Sequence, residues 1–301
     1  KNMSKENTAV TKKKIKRCKE DVVFDAACFI ILTLVLFVVA YPLYWVIISS
    51  ICAPSAVSSG KVLLHPIGFT LKGYAEVFKN DQVMRGFLNS LIITFCGVMV
   101  NLIVTLPTSY ALSRSNFSGK KPITVFYMIT MFFGGGLIPT YLVIQRLQML
   151  NTIWALILPG CLSVYNMIVA RTFFKSNISE ELYEAAEIDG CTQARFFFQI
   201  ALPLSKAIIA ILVLYYGVGH WNSYFSALVY ISDKAKYPLQ LVLRNILITN
   251  QTALSQTATT AAARAALQEK QQLIDVMKYS LIIISSIPVL VMYPLVQKHF
   301  V

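Results

Sequence analysis

Apolar residues fall along the chain in six long runs, and polar residues collect between them. The runs are Ala26–Ile48, Leu88–Leu112, Pro122–Gln145, Ile153–Ala170, Ala207–Val229 and Tyr279–Gln297. A helix rises about 1.5 Å per residue, so about 20 apolar residues cross a hydrocarbon core roughly 30 Å thick. None of the six runs contains an Asp, Glu, Lys or Arg. In lipid each spanning segment must satisfy its own backbone hydrogen bonds, which helices do. The pattern therefore predicts an all-α polytopic membrane protein with six transmembrane helices over residues 26–301, behind a basic tail at 1–25.

One run is interrupted and one polar stretch is structured. Gly134-Gly135-Gly136, followed by Pro139, loosens the third span. Glycine and a missing backbone donor suit a hinge, and the same glycines also suit close packing against a neighbouring helix. The polar stretch 176–206 reads as two short helices. Ser179 is placed to cap the first, with Glu180 and Glu181 in the turn that favours anions. That helix stops near Asp189-Gly190, Gly being the expected C-terminal residue. Thr192 caps a second helix carrying Phe196, Phe197, Phe198 and Ile200, and Pro203 breaks or bends it before the fifth span.

Charge changes the picture by its placement. The 301 residues carry 27 Lys+Arg against 14 Asp+Glu, a formal net charge of +13. Basic residues are nearly twice as dense in 1–25, 113–121, 171–206 and 298–301 as in the intervening loops. Positive loops stay on the cytoplasmic side. Both termini are therefore expected in the cytoplasm, with outer loops at Ser49–Phe87 and Tyr230–Lys278. The run Lys12–Arg17 abuts a span and reads as an orientation and lipid-headgroup signal rather than a nucleic-acid patch. The first apolar run reads as a span rather than a cleaved signal peptide.

Several chemistries lack their residues. Six cysteines show no CxxC spacing, the three histidines are scattered, and neither HExxH nor a phosphate-cradling GxxxxGK[ST] is present. The chain is thus expected to bind no cofactor or metal and to catalyse nothing. An integral membrane enzyme would need acid, base or metal ligands, and the one acidic concentration, Glu180–Asp189, has no His or Cys partner nearby on the hairpin except Cys191. A self-sufficient secondary transporter or channel is the alternative class. Its ion-coupled forms normally carry ionisable groups inside the spans, and these spans have none, so the energy for uphill transport is expected from another subunit.

The hairpin carries a specific resemblance. Glu184-Ala185-Ala186, three residues, Gly190, nine residues, then Ile200-x-Leu202-Pro203 resembles the EAA loop of binding-protein-dependent ABC importer permeases, with each position of the pattern filled. The likeness runs from about Gly68 to the end. Asn89-Ser90-Leu91, Ser109 to Arg114, Phe133 to Tyr141, and Trp221-Asn222-Ser223-Tyr224-Phe225 are similar to the carbohydrate-importer branch, and most to its oligosaccharide permeases. The resemblance implies a type I ABC importer permease fold in the bacterial cell membrane. It implies a second homologous permease as heterodimer partner, two cytoplasmic ATPase subunits that bind ATP and Mg, and an extracellular solute-binding lipoprotein. Glu184, Ala185, Ala186, Asp189, Gly190, Ile200, Leu202 and Pro203 would then form the ATPase-coupling segment. Family members carry a glycine- and lysine-containing tail after the last span, which this sequence, ending at Phe300-Val301, does not reach.

A sugar path needs aromatic faces for pyranose rings and amides to replace hydration. The residues of that kind are Trp221, Asn222, Tyr224 and Phe225 near the fifth span's outer end, and Tyr165 and Asn166 in the fourth span. Interfacial anchoring and interhelical bonding are their other reading. Asn89 and Asn101 read as interhelical glue, and His220 as a packed histidine.

Overall fold

The computed structural model describes residues 19–253 and 261–298. The basic run Lys12–Arg17 and the end at Phe300-Val301 lie outside the described residues. Every regular element among those described is helical. Three helices are long and apolar enough to cross a membrane, and three further pairs pass the same criterion as bent units, giving up to six spans. The long helices are Lys19–Ser50, Asp81–Ser113 and Ala261–Gln297.

The third run departs from a single rod. Helices Lys120–Phe132 and Leu137–Arg146 meet at 114°. Gly136 takes φ +84°, a conformation that side chains resist, and Pro139 sits in the first turn of the next helix, where its missing donor is tolerated. A Cβ on Gly134 or Gly135 would meet nothing within 4 Å, so these glycines do not pack closely against this chain.

The fourth run also bends, by 52°, between Trp154–Gly160 and Val164–Asn177. Its second part continues past Ala170 to Asn177, because Arg171 and Lys175 lie beyond the apolar stretch without interrupting the helix. The fifth helix covers Lys206–Trp221; Asn222 caps it, and Phe225–Tyr230 forms a separate short helix. Both expected outer loops contain helices. Lys72–Lys79 buries Gly73 and Val77, and Leu239–Ala253 packs on the second long helix.

The second long helix is the axis of the fold. It contacts the helices at Val164–Asn177, Lys206–Trp221 and Leu239–Ala253. Its buried positions include Gly86, Ser90, Gly97, Asn101, Thr105 and Ser109, a stripe of small and polar residues at intervals of four or seven positions. Small residues let backbones approach and polar ones bond across. A Cβ on Gly86 would lie 3.1 Å from Val242, and one on Gly97 would lie 2.5 Å from the His220 ring. Ser90 Oγ accepts from the Leu239 N–H at 2.8 Å, and Ser109 Oγ donates to the Met167 carbonyl at 3.1 Å.

Candidate functional site

The hairpin between the fourth and fifth spans is a helix, a tight turn and a second helical segment. Ser179 Oγ accepts from the Leu182 N–H at 3.3 Å and opens the helix Glu180–Ile188. At its end Gly190 takes φ +75°, and the Cys191 N–H returns to the Ala186 carbonyl at 2.9 Å. Glycine reaches this left-handed conformation without strain and closes the helix. Thr192 Oγ1 accepts from Arg195 N at 3.3 Å to start the next segment. That segment widens into a π turn over Phe197–Ala201, includes Pro203, and turns by 80° into the fifth span.

An aromatic cluster seats the hairpin. The Tyr110 ring lies 5.7 Å from Phe174 and 5.0 Å from Phe197, and Tyr183 meets Phe196 edge-on at 5.3 Å. Phe174 and Phe196 are fully buried, and Ala186, Ile200 and Leu202 pack partly buried against the same core. Glu184, Ala185, Asp189, Gly190 and Pro203 are exposed. Ile188 is 87% exposed and Leu182 is 38% exposed, so the outer helix face is apolar between carboxylates. The loop segment thus divides: Glu184, Ala185, Asp189 and Gly190 face outward, whereas Ala186, Ile200 and Leu202 fasten the hairpin to the spans.

Three residues with no role assigned from sequence complete the seat: Tyr110, Arg114 and Tyr183. The Arg114 guanidinium lies over both tyrosine rings, at 5.2 and 5.9 Å. Its Nη2 donates to the Ile178 carbonyl at 3.2 Å, and its Nη1 stands 3.6 Å from the Glu180 carboxylate. Beside it, a cleft of about 370 Å³ opens between Arg114, Phe117, Gln193 and Phe198. The signal for Arg114 was a cation two residues past the end of an apolar run.

The six sugar-path candidates do not share one surface. Trp221 is buried at 1% exposure, donates its indole N–H to the Ser285 carbonyl at 2.8 Å, and meets Phe87 edge-on. It is a core residue here and has no ring face free for a sugar. Asn166 is also buried, while Tyr165, Asn222, Tyr224 and Phe225 are exposed. Asn101 bridges two elements: its amide donates to the Gly160 carbonyl at 2.8 Å, and its oxygen lies 2.7 Å from His220 Nε2. Asn89 donates to the carbonyls of Ala235 and Tyr237. Among the described residues no three His, Cys, Asp or Glu side chains gather as metal ligands.

No protein-family model matches the chain. It is 35% identical over 277 residues, 92% of this chain and 94% of the relative, to the polygalacturonan/rhamnogalacturonan transport system permease protein YtcP of Bacillus subtilis (strain 168). The chain belongs to the carbohydrate ABC transporter permeases. Protein LplC of the same organism is 37% identical over 278 residues, 92% of each chain. The galactooligosaccharides transport system permease protein GanQ, also from that organism, is 28% identical over 283 residues and 91% of each chain. A solved bacterial ABC transporter involved in the import of the acidic polysaccharide alginate superposes with a TM-score of 0.84 at 27% identity, covering 95% of this permease and 99% of that chain. The permease is thus a multi-pass membrane protein and the transmembrane component of an ABC importer, as its EAA-loop spacing implied.

Proposed function

We propose that this permease imports oligosaccharides, carried by a solute-binding protein, through a pathway shared with a second homologous permease. Two ATPase subunits on the cytoplasmic side bind ATP and Mg and supply the energy; this chain binds no cofactor and is non-catalytic. The hairpin segment Glu184–Pro203 couples the chain to the ATPases, and both termini are cytoplasmic. The observation that carries the reading is the division of the hairpin. One face is exposed, apolar and fringed by carboxylates, while the other is locked to the second, fourth and fifth spans. A partner seated on the first face moves the spans through the second. The charge-free apolar runs support an external energy source.

The substrate class rests on the relatives. Two of them are named for the transport of polygalacturonan/rhamnogalacturonan and of galactooligosaccharides, and the solved transporter for the import of alginate. Tyr165, Asn222, Tyr224 and Phe225 remain as pathway candidates exposed on this subunit. The Gly134–Gly136 break, with Pro139 after it, serves as the hinge of the third span; a Cβ on Gly134 or Gly135 meets nothing of this chain within 4 Å, which supports that reading.

The Ala185→Asp, Gly190→Asp double variant tests the coupling assignment. It is expected to insert in the membrane but to lose sugar uptake; normal uptake overturns the assignment. Uptake into liposomes by the purified chain without ATPases overturns the ATP-driven reading itself. Mass spectrometry of the glycan that co-purifies with the cognate binding protein identifies the substrate.

A further inference from the structure

The hairpin joins the fourth and fifth spans through the backbone, but the second span, the axis of the fold, has no covalent link to it. We infer that Arg114 is the positioning residue that makes the second span and the coupling hairpin one lever. This inference rests on the coupling function proposed for the hairpin.

Arg114 follows the last residue of the second long helix, and its side chain is 8% exposed. Its contacts divide between the two bodies. Nε reaches back to Ser113 Oγ at 3.5 Å on the second span's side. On the hairpin side, Nη2 holds the Ile178 carbonyl at 3.2 Å, and Nη1 faces Glu180 Oε2 at 3.6 Å. The other Glu180 oxygen accepts from the Ser115 N–H at 3.2 Å, so this carboxylate is gripped from two consecutive residues beyond the span.

Aromatic contacts such as Tyr110 on Phe197 allow sliding, because dispersion has little directionality. The guanidinium resists it more, since Nη2–H must meet the Ile178 carbonyl in the guanidinium plane, while Nη1 holds Glu180 by charge at 3.6 Å without a hydrogen bond. Arg171 adds a parallel strap from the fourth span, donating Nε to the Leu112 carbonyl at 3.0 Å.

The second span then delivers the movement to the break in the fourth. Asn101 on that span holds the Gly160 carbonyl, and Thr105 bonds the Tyr216 hydroxyl at 2.7 Å, which in turn accepts from the Ser163 N–H. Displacement of the hairpin therefore reaches residues 160–163 by two routes: along the helix Val164–Asn177, and through Arg114 and the second span. Loss of Arg114 removes the guanidinium from the second route, leaving there the Arg171 strap, the Ser115–Glu180 bond and the aromatic contacts, and leaves the ATPase-facing surface intact.

The test uses the complete importer in proteoliposomes, with its binding protein and co-purifying glycan, and reads ATP hydrolysed per sugar imported. That ratio does not change when variants merely reduce the amount of folded complex. ATP-dependent uptake by the unmodified complex is the control; its absence refutes the proposed function and not this inference. With the control in place, Arg114→Gln is expected to keep hydrolysing ATP while the ratio rises about tenfold, within the span that coupling free energies produce. Arg114→Lys is expected to restore little, because an ammonium lacks the fork. Glu180→Gln alters a side chain that is 42% exposed and therefore tolerant of change, and it is expected to raise the ratio less. It carries the test if Arg114→Gln does not assemble. An unchanged ratio in Glu180→Gln and in whichever Arg114 variant assembles overturns the inference, as does full restoration by Arg114→Lys.

Discussion

The first and second long helices are both membrane spans by length, yet they are used in opposite ways. The most apolar window of the first has a mean hydropathy of 2.9 and none of it is buried; that of the second has 2.1 and is 28% buried. The more apolar helix is the less packed one. Within a bilayer apolar side chains are already in a suitable solvent, so hydropathy does not drive helices together; close packing and interhelical hydrogen bonds do. The second helix supplies both, with Gly86 and Gly97 where backbones meet and Ser90, Asn101 and Ser109 where they bond. The first offers Phe29, Leu32, Leu36 and Phe37, all exposed. Near its C-terminal end Trp45 meets Tyr279 at 5.1 Å and donates to the Val62 carbonyl at 2.9 Å.

Substitutions of one kind in both settings sharpen this contrast. The largest effect is expected at the hairpin seat. Phe174 is 0% exposed beside Tyr110, and Phe174→Ala leaves a cavity that costs about 3 kcal/mol of subunit stability. Thermal unfolding in detergent, with uptake measured in parallel, checks it; a loss under about 0.5 kcal/mol, as at an ordinary surface site, breaks the comparison. Next in size is Gly97→Ala, whose added methyl would stand 2.5 Å from the His220 ring and costs about 1–3 kcal/mol through overpacking. The same change at Gly134 meets no atom within 4 Å and is expected to be neutral or to stabilise by about 0.4–1 kcal/mol through the unfolded chain. Reduced uptake by a stable Gly134→Ala variant would then mark the hinge.

Spans and hairpin were legible because each rests on local chemistry. Uncharged runs of the right length mark membrane crossings, and Ser179, Gly190 and Thr192 mark where the hairpin helices begin and end. What depends on neighbours was harder to read. Trp221 looked available for sugar from its aromatic company, but its burial comes from Phe87 and Ser285, both far away in sequence. The helices Lys72–Lys79 and Leu239–Ala253 are short and take their support from tertiary packing. The 114° bend was signalled by Gly134–Gly136, although the angle itself depends on surrounding contacts. The buried face of the second helix was in principle readable, since its glycines, Ser90, Asn101 and Thr105 recur with helical spacing. A scan for charge and hydropathy passes over that stripe because none of its members is charged.

The smaller effects probe whether polar bridges or lipid decide where a helix sits. Asn101→Leu removes the donor to Gly160 and the acceptor facing His220, with an expected cost of about 1 kcal/mol, the scale of interhelical hydrogen bonds in membranes. A double-mutant cycle with His220→Phe measures the shared part, and strict additivity removes the bridge from the account.

Phe37→Ala in the first helix is expected to be the smallest, below about 0.5 kcal/mol for the isolated subunit, because Phe37 is 70% exposed and touches no core. The same variant in the assembled importer asks what covers that face. If lipid alone covers it, assembly with the second permease is unchanged. If the second permease lies on it, Phe37→Ala lowers the yield of intact complex while the isolated subunit unfolds at the wild-type temperature. A destabilised isolated subunit would mean that the first helix is held by this chain after all, and the contrast with the second helix would fall.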